Sequence, residues 1–85
     1  MAIQVLFFAS VRERLGCEHV ELEWSSDLGS VAAVEAELIR RGGDTWQEVL
    51  QQENIVRALN HEIVALEAVV SDGSEVAFYP PVTGG

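Results

Sequence analysis

The chain contains no lysine. No side-chain amine is therefore available to intercept an activated acyl group. The five basic residues are all arginines (Arg12, Arg14, Arg40, Arg41 and Arg57), against fourteen acidic ones. The net charge of −9 at pH 7 repels phosphate backbones and argues against nucleic acid as a partner. It would attract a basic protein surface, and it would equally keep a small domain soluble. Cysteine is nearly absent too. Cys17 stands alone, so no internal disulfide can form, and a reducing cytoplasm is the expected compartment. Long apolar runs are missing as well. The first such stretch, residues 3–9, is broken by Gln4 and is too short for a secretion signal or a membrane span. The two prolines are adjacent, Pro80 and Pro81.

What remains is one small domain of 85 residues, with 48% hydrophobic content to fill a single core. Residues 3–9 read as a strand rich in β-formers, and residues 10–16 as a short helical turn stopped by Gly16. Val20, Leu22 and Trp24 alternate with Glu21 and Glu23, the pattern of a half-buried strand over 19–24. Ser30 is placed to cap a helix whose Val31, Val34 and Leu38 share one face, and Gly42-Gly43 ends it. Thr45 and Glu48 match a capping box, which predicts a second short helix to about residue 52. Residues 56–60 and 63–66 read as strands joined by a turn at His61-Glu62, with Asn60 serving the turn. Asp72-Gly73 marks another turn, and residues 75–80 form the last strand. This β-β-α-β-β-β order, with one main helix to cover one face of a mixed sheet, predicts an α+β ubiquitin-like β-grasp domain over 1–79. Residues 80–85 form an extended tail.

Successive strand residues point to opposite sides of a sheet. The sets containing Gln4 and Glu75 should face away from the helix, which places Leu6, Phe8, Ala77 and Tyr79 on the solvent side. Contiguous apolar surface of this kind marks a partner site, unless the second short helix covers it.

In the tail, Pro80 and Pro81 cannot donate to a sheet and have fixed φ, and Pro80 biases Tyr79 toward extended backbone. Val82 and Thr83 also favour extension. Gly84 and Gly85 lack Cβ, so the end of the chain is slim enough to enter a narrow channel. A stiff base and a slender tip suggest a carboxylate presented for chemistry. Activation by attack on the α-phosphate of ATP would give an acyl-adenylate with AMP as leaving group. A frayed terminus is the competing reading of the glycine pair alone.

Val5 to Gly16 (VLFFASVRERLG), Ala58 to Val64 (ALNHEIV) and Asp72 to Gly85 (DGSEVAFYPPVTGG) carry a resemblance that spans essentially the full length. The chain resembles the small subunits of molybdopterin synthase, sulfur carriers with a ubiquitin-like fold. The resemblance implies a substrate-like subunit of a sulfurtransferase complex, with no active site and no tightly bound cofactor of its own. A ubiquitin-activating-enzyme-like adenylyltransferase would use ATP and Mg²⁺ to adenylate Gly85, and a persulfide sulfur donor would convert the adenylate to a thiocarboxylate. The tail, Pro80, Pro81, Val82 and Thr83 with Gly84, would then insert into the large subunit of a heterotetramer. There the sulfur passes to cyclic pyranopterin monophosphate. Phe8 and Tyr79, with Ile63, match family positions in apolar contact with partners. Tyr79 departs from the commoner phenylalanine, so its hydroxyl needs water or a partner group. Residues 40–52 match no motif of the family. Carriers for thiamine or tRNA thiolation, a ubiquitin-like modifier and a plain interaction domain are the other classes this pattern admits.

Other residues point to less. His19 and His61 lie in different elements with no zinc-ligand spacing and read as surface histidines. Cys17 follows Gly16 in a loop and is not expected to be a catalytic thiol. Glu35 and Glu37 face different ways on one helix and are not an acid–base pair. Arg12 and Arg14 suit either partner carboxylates or a solvated turn.

Overall fold

The computed structural model of the protein describes residues 1–53 and 55–80. Five strands form one mixed sheet: β1 (Ala2–Phe7), β2 (His19–Glu23), β3 (Val56–Leu59), β4 (Glu62–Ile63) and β5 (Glu75–Tyr79), in the order β2-β1-β5-β3-β4. The two central strands, β1 and β5, run parallel, and every other pairing is antiparallel. Three helices, α1 (Ala9–Leu15), α2 (Val31–Gly42) and α3 (Asp44–Leu50), complete the described elements with a 3-10 turn, Ser26–Leu28. This is the expected α+β ubiquitin-like β-grasp, here with three helices.

The core lies between sheet and helices because alternation delivers Ile3, Val5 and Phe7 from β1 and Val76 and Phe78 from β5 to the same side. Phe7 stacks on Phe78 with centroids 5.8 Å apart and receives Trp46 of α3 edge-on at 5.3 Å. Helix α3 therefore packs on the core side. Among the described residues, the opposite face of the sheet is left without a covering helix.

Helix α2 starts as its sequence dictates: the Ser30 hydroxyl accepts from the Ala33 N–H at 3.1 Å. Its remaining first-turn donors are met by backbone. The Val31 N–H donates to Ala68 O and the Ala32 N–H to Leu66 O. Those bonds explain one correction. The fourth strand, expected over 63–66, is Glu62–Ile63; one further bond, the Val64 N–H on Arg57 O, follows before the chain turns away to satisfy the start of α2.

The hairpin turn is also displaced by one residue. It comprises Asn60 and His61, both at positive φ (50° and 74°), as the twist of a two-residue hairpin demands, rather than His61-Glu62. Asn60 also fastens the hairpin to β5: its N–H donates to Glu75 O at 2.8 Å, and its side-chain oxygen accepts from the Glu75 N–H at 2.9 Å. The first strand stops at Phe7 rather than residue 9, because Ala9 (φ 50°) turns the chain into α1. Helix α1 ends at Gly16 in the left-handed region, its N–H on Arg12 O, as expected. The capping box at Thr45 does not form. Gly43, at φ 82°, closes α2 and opens α3 two residues earlier than a Thr45 cap would, at Asp44, with no side-chain cap. The turn at Asp72-Gly73 is present and closes with the Ser74 N–H on Ser71 O.

Candidate docking face

Strand register assembles the uncovered face row by row. Across the sheet, Leu6 pairs with Ala77, Ala77 with Ala58, and Ala58 with Ile63. The next row brings Phe8 beside Tyr79, which pairs with Val56. The Phe8 N–H extends the parallel pairing by donating to Phe78 O at 3.1 Å, so its ring lies flat on that of Tyr79. The centroids are 4.6 Å apart and the planes 5° from parallel.

Ile63 is 80% exposed and Tyr79 36%, while Leu6, Phe8 and Val56 are half-buried. Ala77 departs from expectation. It lies on this face but is buried, because a methyl on a central strand is overtopped by neighbours on both sides. Val56, Ala58, His61, Ile63 and Tyr79 line a shallow groove of about 350 Å³.

Val56 and Ala58 also belong to this face, although Arg57 between them has the polarity of a solvent-facing strand residue. The reverse holds. Arg57 pairs with Phe78 on the core side, and its Nε–H donates to Glu35 Oε1 at 2.8 Å. Its Nη2 donates to Leu50 O at 3.1 Å, which ties β3 to the main helix and to the end of α3. The available signal was Glu35, a carboxylate set four residues after Val31 and three before Leu38, on the buried face of α2.

A polar row adjoins the apolar ones. Gln4 pairs with Glu21 on one side and Glu75 on the other. Its amide N donates to Glu21 Oε2 at 2.9 Å, and its oxygen meets the His19 ring. His61 Nε2 stands 3.4 Å from Glu75 Oε2. Both histidines are thus exposed, His19 bonded to Gln4 on β1 and His61 in the hairpin turn beside Glu75. Among the described residues, no three histidine, cysteine or carboxylate side chains converge as metal ligands.

Elsewhere, Cys17 is half-buried and directs its thiol at His19 O, and Arg14 pairs with Glu48 of α3 at 3.2 Å while Arg12 is exposed. Glu35 and Glu37 diverge as expected. Glu37 accepts from Arg40 at 2.7 Å and Arg41 at 2.6 Å, and these bonds, Arg40's foremost, lower its pKa from 4.5 to about 2. Pro80 is half-buried and follows the last paired residue, Tyr79. The remaining expected tail residues, Pro81, Val82, Thr83, Gly84 and Gly85, lie outside the described residues. No described helix is long and apolar enough to cross a membrane.

A β-grasp sheet with an aromatic pair on its open face, at the point where the C-terminal segment leaves the last strand, defines the class. The chain belongs to the ThiS family, whose model matches residues 5–85. It is 40% identical over 83 residues to the molybdopterin synthase sulfur carrier subunit of Haemophilus influenzae, covering 98% of this chain and 99% of that one. To the same subunit of Escherichia coli it is 39% identical, with the same coverage. Among solved structures, SAMP1, small archaeal modifier protein 1 of Haloferax volcanii, superposes over 100% of both chains with a TM-score of 0.77 and 25% identity.

Proposed function

We propose that the protein is the sulfur carrier subunit of a molybdopterin synthase, acting in molybdenum cofactor biosynthesis. The observation that carries this reading is the Phe8–Tyr79 stack. Parallel pairing of β1 and β5 puts an aromatic platform on an uncovered face, one residue before the chain leaves the sheet at Pro80. A partner seated on that platform receives the C-terminal segment beside it. Full-length identity of about 40% to carrier subunits supports the same reading.

In this scheme the Gly85 carboxylate attacks the α-phosphate of ATP on a ubiquitin-activating-enzyme-like adenylyltransferase that uses Mg²⁺. Pyrophosphate leaves and an acyl-adenylate forms. A persulfide sulfur donor then displaces AMP, and reductive cleavage of the resulting acyl disulfide by a thiol leaves a thiocarboxylate. Gly84 and Gly85 have no side chains to obstruct either approach. The absence of lysine leaves the activated acyl group no side-chain amine of its own chain to acylate. The charged tail, Pro80 to Gly85, enters the large subunit of a heterotetramer in the cytoplasm, where the sulfur passes to cyclic pyranopterin monophosphate. Phe8, Ile63 and Tyr79 dock the body.

Reconstitution tests the reading. The thiocarboxylated protein, mixed with the large subunit and cyclic pyranopterin monophosphate, should yield the pterin dithiolene, and deletion of Gly85 should abolish it while the fold persists. Likeness to SAMP1 favours one other reading, a modifier joined to target lysines. Covalent adducts on many cell proteins would select it.

A further inference from the structure

The open face carries charge of one sign along one border. Glu21, Gln4 and Glu75 form a row across β2, β1 and β5, immediately beside the row of Leu6 and Ala77. Tyr79 is four steps along β5 from Glu75, so the acidic row lies roughly 13 Å from the root of the tail at about 3.3 Å per residue. The two carboxylates, two strands apart, are separated by about 10 Å. Glu21 is held in place by the Gln4 amide, and Glu75 through its backbone N–H by Asn60. At the row, His19 is engaged by Gln4, and the exposed His61 ring stands 3.4 Å from Glu75. Arg41 shares the recess at the edge of β2 with Glu21, Glu23 and Met1, and its guanidinium is bound to Glu37.

We infer that this face docks on a protein surface whose apolar patch is bordered by arginine or lysine side chains set opposite Glu21 and Glu75, on the side away from the channel that takes the tail. The inference rests on the docking reading given above and adds the partner's charge chemistry and the orientation of docking. The apolar rows supply affinity, and the acidic row steers encounter and fixes which way round the domain sits. Ion pairs at such a border act mainly on the association rate and its salt dependence.

The test measures association with the large molybdopterin synthase subunit by stopped flow, at low and high salt. Glu21→Gln/Glu75→Gln should slow association about five- to tenfold at low salt and lose most of the salt dependence. A control, Asp27→Asn/Glu67→Gln, removes the same charge from outside the strand rows and should change the rate less than about twofold. Unchanged association in the face variant, or equal slowing in the control, overturns the inference. If the double variant melts early, Glu21→Gln alone, on an exposed side chain, should show about half the effect on the logarithm of the rate, and an unchanged rate overturns the inference as well. Tyr79→Asp reports separately on the docking reading. Loss of binding there, with the face variant unaffected, leaves docking standing and removes the acidic row from it.

Discussion

Phe8 and Tyr79 are neighbours only because β1 and β5 run parallel and Phe8 extends that pairing one step past the strand, its N–H on Phe78 O. The stack is built on the uncovered side, so its loss should not disturb the core. Tyr79→Asp should weaken binding of the large subunit at least tenfold, about 1.4 kcal/mol or more, as expected for an aromatic anchor. The melting temperature should barely move. Calorimetric titration together with thermal melting checks both halves, and an unfolded variant would put Tyr79 on the wrong face.

The Arg57–Glu35 pair gives a second prediction. Its side chains are 16% and 7% exposed, so removing either partner strands a buried charge. Arg57→Met should cost about 3–5 kcal/mol in urea unfolding, because the Glu35 carboxylate and the Leu50 carbonyl lose their donor. Replacing both residues with methionine should recover much of that loss. A single variant as stable as the wild type would contradict the buried role.

Gly42 tests the packing of α3. A Cβ there would lie 2.1 Å from Trp46 Cγ, and Trp46 is held edge-on against Phe7. Helix propensity favours alanine over glycine by up to about 1 kcal/mol, but overpacking costs about 1–3 kcal/mol. The clash should win. Gly42→Ala is expected to lower stability and alter the tryptophan near-ultraviolet circular dichroism, whereas a stabilised variant would show that the indole has room to move.

The Glu37 carboxylate makes a pH prediction. Its folded pKa, about 2, lies below the ordinary 4.5, so its contribution to stability is present above pH 4.5 and is lost as pH falls through 2. The difference in melting temperature between wild type and Glu37→Gln should therefore be largest near neutral pH and shrink across that window. Because both arginine partners are exposed, molar salt should narrow the difference too.

Much of this was legible in the sequence where local chemistry and tertiary demand agree. The clean alternation of β2, the Ser30 cap and the glycine stops name their elements because one short segment decides each. The open face at Leu6, Phe8 and Tyr79 followed from strand parity alone. Elsewhere distant partners decided. Arg57 looks solvent-facing until Glu35 is brought to it from another element, which inverts the apparent polarity of β3. The strand expected after the hairpin is shortened because α2 needs the carbonyls of Leu66 and Ala68. Thr45 loses its capping role to Gly43, whose positive φ serves two helices at once.

The account depends on the carboxyl end of Gly85 being the atom group that is charged and discharged. Intact-mass measurement after incubation with the adenylyltransferase, ATP, Mg²⁺ and a persulfide donor tests it most directly, on the protein and on a variant with one alanine appended. The protein should gain the mass difference between sulfur and oxygen, and the extended variant, verified as untrimmed, should stay unchanged. Equal gain by both, or none by the unmodified protein, would contradict the account.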